Sequence, residues 1–178
     1  APHELVRETV YGSIHGPIRT AMHREAVTIV QDEGGSAVEA GWHVLRSGPR
    51  GDKKAVRLLW RAATEMTDYA PAAAAGLVQH ALKIMNPRDP ERPSLCGEGL
   101  SLLAAAGCID EALGVGQQAL QGPLDPVTEV SLRCGLAEAL KHAGRNQAAL
   151  DYAEPGLRVD GVPDALRAKL WAVIAHAR

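Results

Sequence analysis

Apolar residues recur along the chain at the three- and four-residue spacing of amphipathic α-helices, and no segment shows sustained alternation of polar and apolar residues. Glycine- and proline-containing turns separate these segments. Asp52, Asp89, Asp110 and Asp125 stand where each side chain can cap a following helix. The pattern predicts an all-α fold of about ten helices, over residues 3–12, 17–32, 36–47, 53–67, 71–85, 91–106, 109–121, 126–143, 146–157 and 163–177.

A two-helix unit recurs about three times, with equivalent segments at residues 69–82, 106–120 and 143–157. Gly107 and Gly144 stand 37 residues apart, as do Leu113 and Leu150. Glycine at these turns can adopt the left-handed conformation that ends a helix. Because one helical hairpin cannot bury its apolar face alone, the units are expected to stack into a tetratricopeptide-like α–α solenoid. The period exceeds the ~34 residues of tetratricopeptide repeats, and a plain helical bundle is the alternative.

The composition specifies what the core must be built from. Aromatic residues make up 3% of the chain and phenylalanine is absent, so alanine, leucine and valine must fill the interior. We expect Leu113 and Leu150 to be buried at equivalent positions, where truncation to alanine costs about 2–5 kcal/mol. Cys96 and Cys134 are expected to be small core residues. Close helix crossings are expected at the glycines within helices, namely Gly97, Gly99, Gly114 and Gly116.

Charge and motifs argue against most catalytic and nucleic-acid functions. The net charge is -2, which gives no electrostatic case for binding a phosphate backbone. The chain contains no Gly-x-x-x-x-Gly-Lys-Ser/Thr loop, and its seven histidines lack the spacing of a zinc site on one helix. Asp110 and Glu111 are interpreted as favourable charges at a helix N-terminus rather than as a catalytic pair. No run of ~18 apolar residues predicts a membrane span. We expect a cytoplasmic protein that is not an enzyme and holds neither metal nor cofactor.

One helix is locally basic. Lys53, Lys54, Arg57 and Arg61 recur along residues 53–67, where they form either a solvated helix face or a surface that contacts a partner. They are the candidate partner-contact residues of this sequence.

Three short motifs near the start carry a resemblance to a known family. The first is His-x-x-x-Arg-Glu-x-Val-Tyr, formed by His3, Arg7, Glu8, Val10 and Tyr11. The second lies in PIRTAMHREAV and consists of Arg19, His23 and Arg24. The third lies in AGWHVLRSG and consists of Trp42, His43 and Gly48. Repeats rich in alanine and leucine follow. This succession resembles the end of the winged-helix subdomain and the helical region of large ATP-binding regulators of the LuxR type, which are signal-transduction ATPases with numerous domains.

The resemblance implies a layout and a function. Residues 1–33 would be the end of a winged-helix subdomain, and residues 34–178 would be the helical repeats. The chain would be a non-catalytic sensor and scaffold that binds an inducer or a partner protein. ATP would bind only to an adjoining upstream ATPase, and a helix-turn-helix domain would follow. The alternative is a generic tetratricopeptide-like adaptor for protein partners, unrelated to transcription.

The opening segment is expected to be the tail of a preceding domain. Leu5, Val6, Val10, Ile14 and Ile18 would then form an apolar surface that the rest of the chain covers incompletely. The segment would dock onto the helix at 36–47, around Trp42, or would self-associate.

Overall fold

The computed structural model describes residues 2–48 and 50–178, except for the side chains of residues 2–5 and 7. The described residues form ten α-helices and no strand: α1 (Pro2–Ser13), α2 (Gly16–Asp32), α3 (Ala37–Ser47), α4 (Lys53–Met66), α5 (Pro71–Ile84), α6 (Arg92–Ala105), α7 (Ile109–Leu120), α8 (Pro126–His142), α9 (Asn146–Gly156) and α10 (Asp164–Ala177). The prediction of an all-α fold with about ten helices is confirmed. None of the described helices is long and apolar enough to cross a membrane.

Two of the four predicted aspartate caps are confirmed. Asp52 accepts hydrogen bonds from the backbone N–H groups of Lys54 and Ala55 at the start of α4. Asp125 accepts bonds from the N–H groups of Val127 and Thr128 at the start of α8. Each carboxylate satisfies two donors that have no partner within the helix.

The other two cap predictions are wrong. Asp89 accepts a bond from the N–H of Glu91, in the turn that precedes α6. Asp110 lies inside the first turn of α7, because Cys108 occupies the N-cap position. Its carboxylate instead pairs with Arg145, at 2.7 Å.

The predicted glycine turns recur with the same geometry. Gly107 and Gly144 have φ angles of 75° and 71°, in the left-handed region. The N–H of Cys108 bonds to the carbonyl of Leu103, and the N–H of Arg145 bonds to the carbonyl of Leu140, both at 2.9 Å. This is the six-to-one bond of a Schellman motif, which reverses the chain after α6 and α8.

The helices pack in the order in which they occur along the chain. Within the described residues, every extensive contact joins helices that are adjacent in sequence or separated by one helix. The α6–α8 and α8–α10 contacts, together with Trp60 of α4 against Gly99 of α6, place the even-numbered helices from α4 to α10 in one layer. Helices α5, α7 and α9 lie beside them as hairpin partners. This is the packing expected of stacked hairpins, whereas the superhelical form stays a prediction.

Alanine and leucine dominate the core, as the composition requires. One cluster of buried side chains runs from α3 to α8 and a second from α8 to α10. Half-buried Leu113 and Tyr152 contact both clusters, which therefore adjoin each other. The interior is continuous along the stack from Ala37 to Ala177.

The structure corrects the predicted burial of Leu113 and Leu150. Both are only half-buried, whereas the residues before them, Ala112 and Ala149, are fully buried. The 37-residue equivalence is retained, but in both helices the alanine, and not the leucine that follows it, lies in the core. Truncating either leucine therefore removes less buried surface than a core leucine would, and the expected loss falls below 2–5 kcal/mol.

Close crossings occur at two of the four helical glycines. A Cβ on Gly116 would lie 2.6 Å from Leu136 Cδ2, and one on Gly99 would lie 3.0 Å from both Trp60 and Val78. At Gly97 the nearest atom, Leu132 Cδ2, is at an ordinary 3.8 Å. Gly114 faces open space, so the expectation of a tight crossing there is wrong.

Candidate functional site

The predicted basic residues lie together on the exposed side of α4. Lys53, Lys54, Arg57 and Arg61 are all exposed, because the opposite side of the helix is buried under α3 and α5. The apolar residues of α4 thus determine which side faces solvent, and the cations occupy that side.

Two of these cations bind the loop before α6. Lys53 Nζ lies 3.1 Å from Asp89 Oδ2, and Arg57 lies 3.4 Å from Glu91 Oε1. A hydrogen bond from the Glu91 N–H, and then the bond from Lys53, lower the pKa of Asp89. These contacts attach α4 to the α5–α6 loop. In the described part of the chain no ion pair is formed by Lys54 or Arg61, so their charges face solvent.

A small cleft lies beneath the two ion pairs. Its volume is about 50 Å³, and Val56, Met85 and Leu95 form its apolar lining. Lys53 and Asp89 lie at its rim. The two ion pairs lie above apolar side chains, and their charges already neutralise each other. This cleft is therefore suited to packing of α4 on the α5–α6 loop rather than to binding a charged ligand.

A more open groove runs between α6 and α8 of the even-numbered layer. Its volume is about 360 Å³, and Leu100 and Leu132 form its base. Small and polar residues line its sides, among them Ser94, Gly97, Ser101, Thr128, Ser131 and Gly135. Short side chains leave the helix backbones accessible, and hydroxyl groups offer both donors and acceptors to a bound segment.

The first three helices expose large apolar side chains. We call Val6, Val10, Ile18, Met22, Ile29 and Trp42 the N-terminal apolar residues; each is exposed. The predicted incomplete covering is confirmed for Val6, Val10 and Ile18, whereas Ile14 is half-buried and the side chain of Leu5 lies outside the described part. Helix α2 has no buried residue, although it packs along α3.

Residues from the three N-terminal motifs meet in one polar cluster. Tyr11 Oη lies 2.7 Å from His23 Nε2, and His23 Nδ1 lies 2.9 Å from His43 Nδ1. The Arg19 guanidinium lies 5.2 Å from the centre of the Tyr11 ring. Burial lowers the pKa of His23, and the charges of His43, Arg46 and Arg19 lower it further. The motifs named these residues, but nothing in their spacing predicted that they would touch.

Among the described residues, the cysteine thiols have raised pKa values and no cluster of metal-ligating side chains occurs. Burial raises the pKa of Cys96, and it raises that of Cys134 to about 11. Cys108 is half-buried, and its pKa is also raised by burial. Thiols held in the protonated state are poor nucleophiles. Across the described residues, no group of three or more His, Cys, Asp or Glu side chains is placed to hold a metal ion.

Comparison with models of known protein families, with curated proteins and with solved structures finds no significant match to this chain.

Proposed function

We propose that this chain is a non-catalytic helical-repeat scaffold of a LuxR-type ATP-dependent transcriptional regulator. Its first helices dock onto the adjoining ATPase, and its repeats bind an inducer or a partner protein. We also propose that it acts in the cytoplasm, a location supported by the free thiols of Cys96, Cys108 and Cys134.

The observation that carries this proposal is the exposed apolar side of α2. Ile18, Met22 and Ile29 lie on one side of the helix, at spacings of four and seven residues, and all three are exposed. Complete burial of such a side chain contributes about 1.5–3 kcal/mol before the cost of association. A helix with three such residues and no buried one is suited to packing against a second protein surface.

The resemblance of the motifs supports an ATPase as that second surface. In the family, the segment similar to residues 3–11 ends the winged-helix part of the ATPase module. Tyr11, His23 and His43 come one from each motif, and His23 contacts both of the others here. A shared contact is a structural reason for the three motifs to occur together.

The groove between α6 and α8 is the binding surface that we assign to the inducer or partner. Its serine and threonine hydroxyls and its leucine base suit an extended peptide or a small polar molecule. Ser131 is exposed at its edge, so replacement by arginine would fill the groove without entering the core. Gln121→Arg, at an exposed position after α7, is the matched control for added charge and bulk.

The coding sequence on either side of this segment separates the proposal from a generic adaptor. A phosphate-binding loop upstream and a helix-turn-helix downstream support the regulator, whereas their absence overturns it. The chain alone is expected neither to hydrolyse ATP nor to bind duplex DNA at physiological salt. Micromolar affinity in a nucleotide titration or a DNA gel shift would contradict that expectation.

Docking can be measured in the protein that includes the upstream module. Hydrogen exchange in α1 and α2 should be slower there than in the chain alone, because the ATPase covers the exposed apolar side. Met22→Asp should restore fast exchange, since it places a charge under the contact. Gln31→Asp, on the other side of the same helix, should not. Equal protection in both variants would exclude α2 as the docking surface.

A further inference from the structure

A groove separates α5 from α7. In the described part of the chain these two helices make no extensive contact with each other. The groove has a volume of about 550 Å³. Leu82, Met85 and Val115 form its apolar part, and Gln79 and Gln118 are exposed beside them. This size, and this mixture of apolar and polar residues, are those of a small-molecule site.

Arg92 brings a guanidinium with unused donors into the α5–α7 groove. The side chain is half-buried, and its Nη1 donates a hydrogen bond to the carbonyl of Leu82, at 2.8 Å. Its Nε and Nη2 bond to no residue that the structure describes, and neither atom is enclosed. These two nitrogens form the side of the guanidinium that presents two parallel N–H groups to a carboxylate. That side is therefore available to a ligand.

The corresponding arginine of the last hairpin has no such free side. Arg167 reaches back ten residues to the carbonyl of Leu157, as Arg92 reaches back ten residues to that of Leu82. Its Nη2 also donates a bond, to the carbonyl of Val159 at 2.9 Å. Both arginines thus fasten the end of the preceding helix, but only Arg92 does so while its Nε and Nη2 stay unbonded. Fastening the helix end does not account for that difference.

The charged residues that line the groove leave one positive charge uncompensated. Lys83 is exposed on α5 and Glu111 on α7, and in the part of the chain that the structure describes neither forms an ion pair. With Arg92 they are two cations and one anion. This balance is complementary to one carboxylate rather than to a phosphate dianion, and a bidentate carboxylate pairs well with a guanidinium.

We propose that the α5–α7 groove binds a small amphiphilic monocarboxylic acid. Its carboxylate bonds to Nε and Nη2 of Arg92, and its apolar chain lies on Leu82, Met85 and Val115. The bond from Nη1 to the Leu82 carbonyl holds the guanidinium in position for this contact. The site is separate from the groove between α6 and α8, and it does not depend on the proposed function, because it rests only on residues of α5, α6 and α7.

Octanoate titrated into the intact chain tests the proposal, with 1-octanol as the neutral counterpart of the same chain length. NMR spectra should show saturable shifts of the Arg92 Nε–H and of the backbone amides of Gly114 and Val115 with octanoate. Octanol should cause much smaller shifts at these positions. Because the contact joins opposite charges at a partly exposed site, the Kd for octanoate should rise with added salt.

Three substitutions have different expected effects on that Kd. Arg92→Gln should weaken octanoate binding at least about tenfold, because the charge-assisted hydrogen bonds are lost. Glu111→Gln should strengthen it about two- to fivefold, since it removes a repelling charge from an exposed position. Arg167→Gln is the matched control, because it removes the corresponding helix-end arginine, and it should leave the Kd unchanged.

Three results would overturn the proposal. They are absence of saturable octanoate binding, equal affinity of the groove for octanoate and octanol, and shifts confined to α1–α3, where large apolar side chains are exposed. If circular dichroism shows Arg92→Gln to be unfolded, the exposed substitutions Glu111→Gln and Lys83→Gln decide. The first should lower the Kd and the second should raise it, and unchanged values in both would equally contradict the site.

Discussion

At the scale of single residues, Gly114 and Gly116 lie two residues apart on α7 and have opposite surroundings. Gly116 is buried where α7 meets α6 and α8, and a Cβ there would lie 2.6 Å from Leu136 and 2.8 Å from Leu100. Both leucines are themselves fully buried and have little room to move. Gly114 is exposed and has no neighbour within 4 Å of an added Cβ. One glycine is thus required by packing, and the other only lowers helix propensity.

Replacing each glycine by alanine should therefore change stability in opposite directions. Gly116→Ala should destabilise the protein by about 1–3 kcal/mol, because the extra methyl group overpacks the core. Gly114→Ala should stabilise it by up to about 1 kcal/mol through helix propensity alone. Urea unfolding followed by circular dichroism measures both values. A stabilising Gly116→Ala would mean that the three helices do not approach as closely as described.

At the scale of elements, helix ends are fixed by local hydrogen bonds that recur along the chain. Left-handed glycines end α6 and α8 with the same Schellman bonds, and Asp52 and Asp125 begin α4 and α8 with the same pair of accepted N–H bonds. At Asp125 a further bond comes from the hydroxyl of Thr128, at 2.6 Å. These bonds lower the pKa of Asp125, those from Thr128 most strongly.

The cap at Asp125 should make stability depend on pH in a predictable direction. Because its folded pKa is lowered, the carboxylate stabilises the fold above the unfolded pKa of about 3.9, and this contribution is lost as the pH falls through the lowered value. Asp125→Ala should therefore be less stable than the wild type at pH 7, with a difference that shrinks in acid. Asp125→Asn, which keeps an acceptor but does not titrate, is the control. Thermal melts from pH 7 to pH 3 measure the difference, and a constant gap would contradict the cap.

At the scale of the whole molecule, packing is a succession of neighbour contacts. No buried core residue in the described part of the chain precedes Ala37, and only half-buried side chains such as Val27 and Val30 join the core from α2. Helices α4–α10 bury their apolar sides against one another. The first helix therefore has little influence on the stability of the later hairpins.

Deleting residues 1–16 should leave α4–α10 folded and change the association of the molecule. Among the described side chains of residues 1–16 none belongs to the buried core, and the deletion removes exposed Val6 and Val10. The far-UV circular dichroism signal per residue should stay helical, while light scattering should show a change in oligomeric state or solubility. Loss of the cooperative melt in the deleted protein would show that α1 is an integral part of this domain.

The sequence by itself determined where the helices begin and end. Their bounds match the pattern of apolar residues, glycines and prolines to within one residue, because these signals act over a few positions of one chain segment. The 37-residue recurrence likewise identified Gly107 and Gly144 as equivalent turns, since a left-handed φ is a local requirement. The apolar pattern of the opening segment also predicted that Val6, Val10 and Ile18 are exposed.

Burial and contacts between helices depend on the distance between chain segments, and only the tertiary structure decided them. In α7 and α9, the tertiary structure decided that Ala112 and Ala149 are fully buried while the adjacent Leu113 and Leu150 are half-buried. The sequence predicts that Asp110 caps α7, but the helix begins at Ile109 with Cys108 as its N-cap, and Asp110 instead pairs with Arg145 of the next hairpin. Tyr11, His23 and His43 lie on three different helices, and the sequence gives no sign that their side chains meet. Their contact exists because α1, α2 and α3 bring side chains 12 and 20 residues apart to within hydrogen-bonding distance.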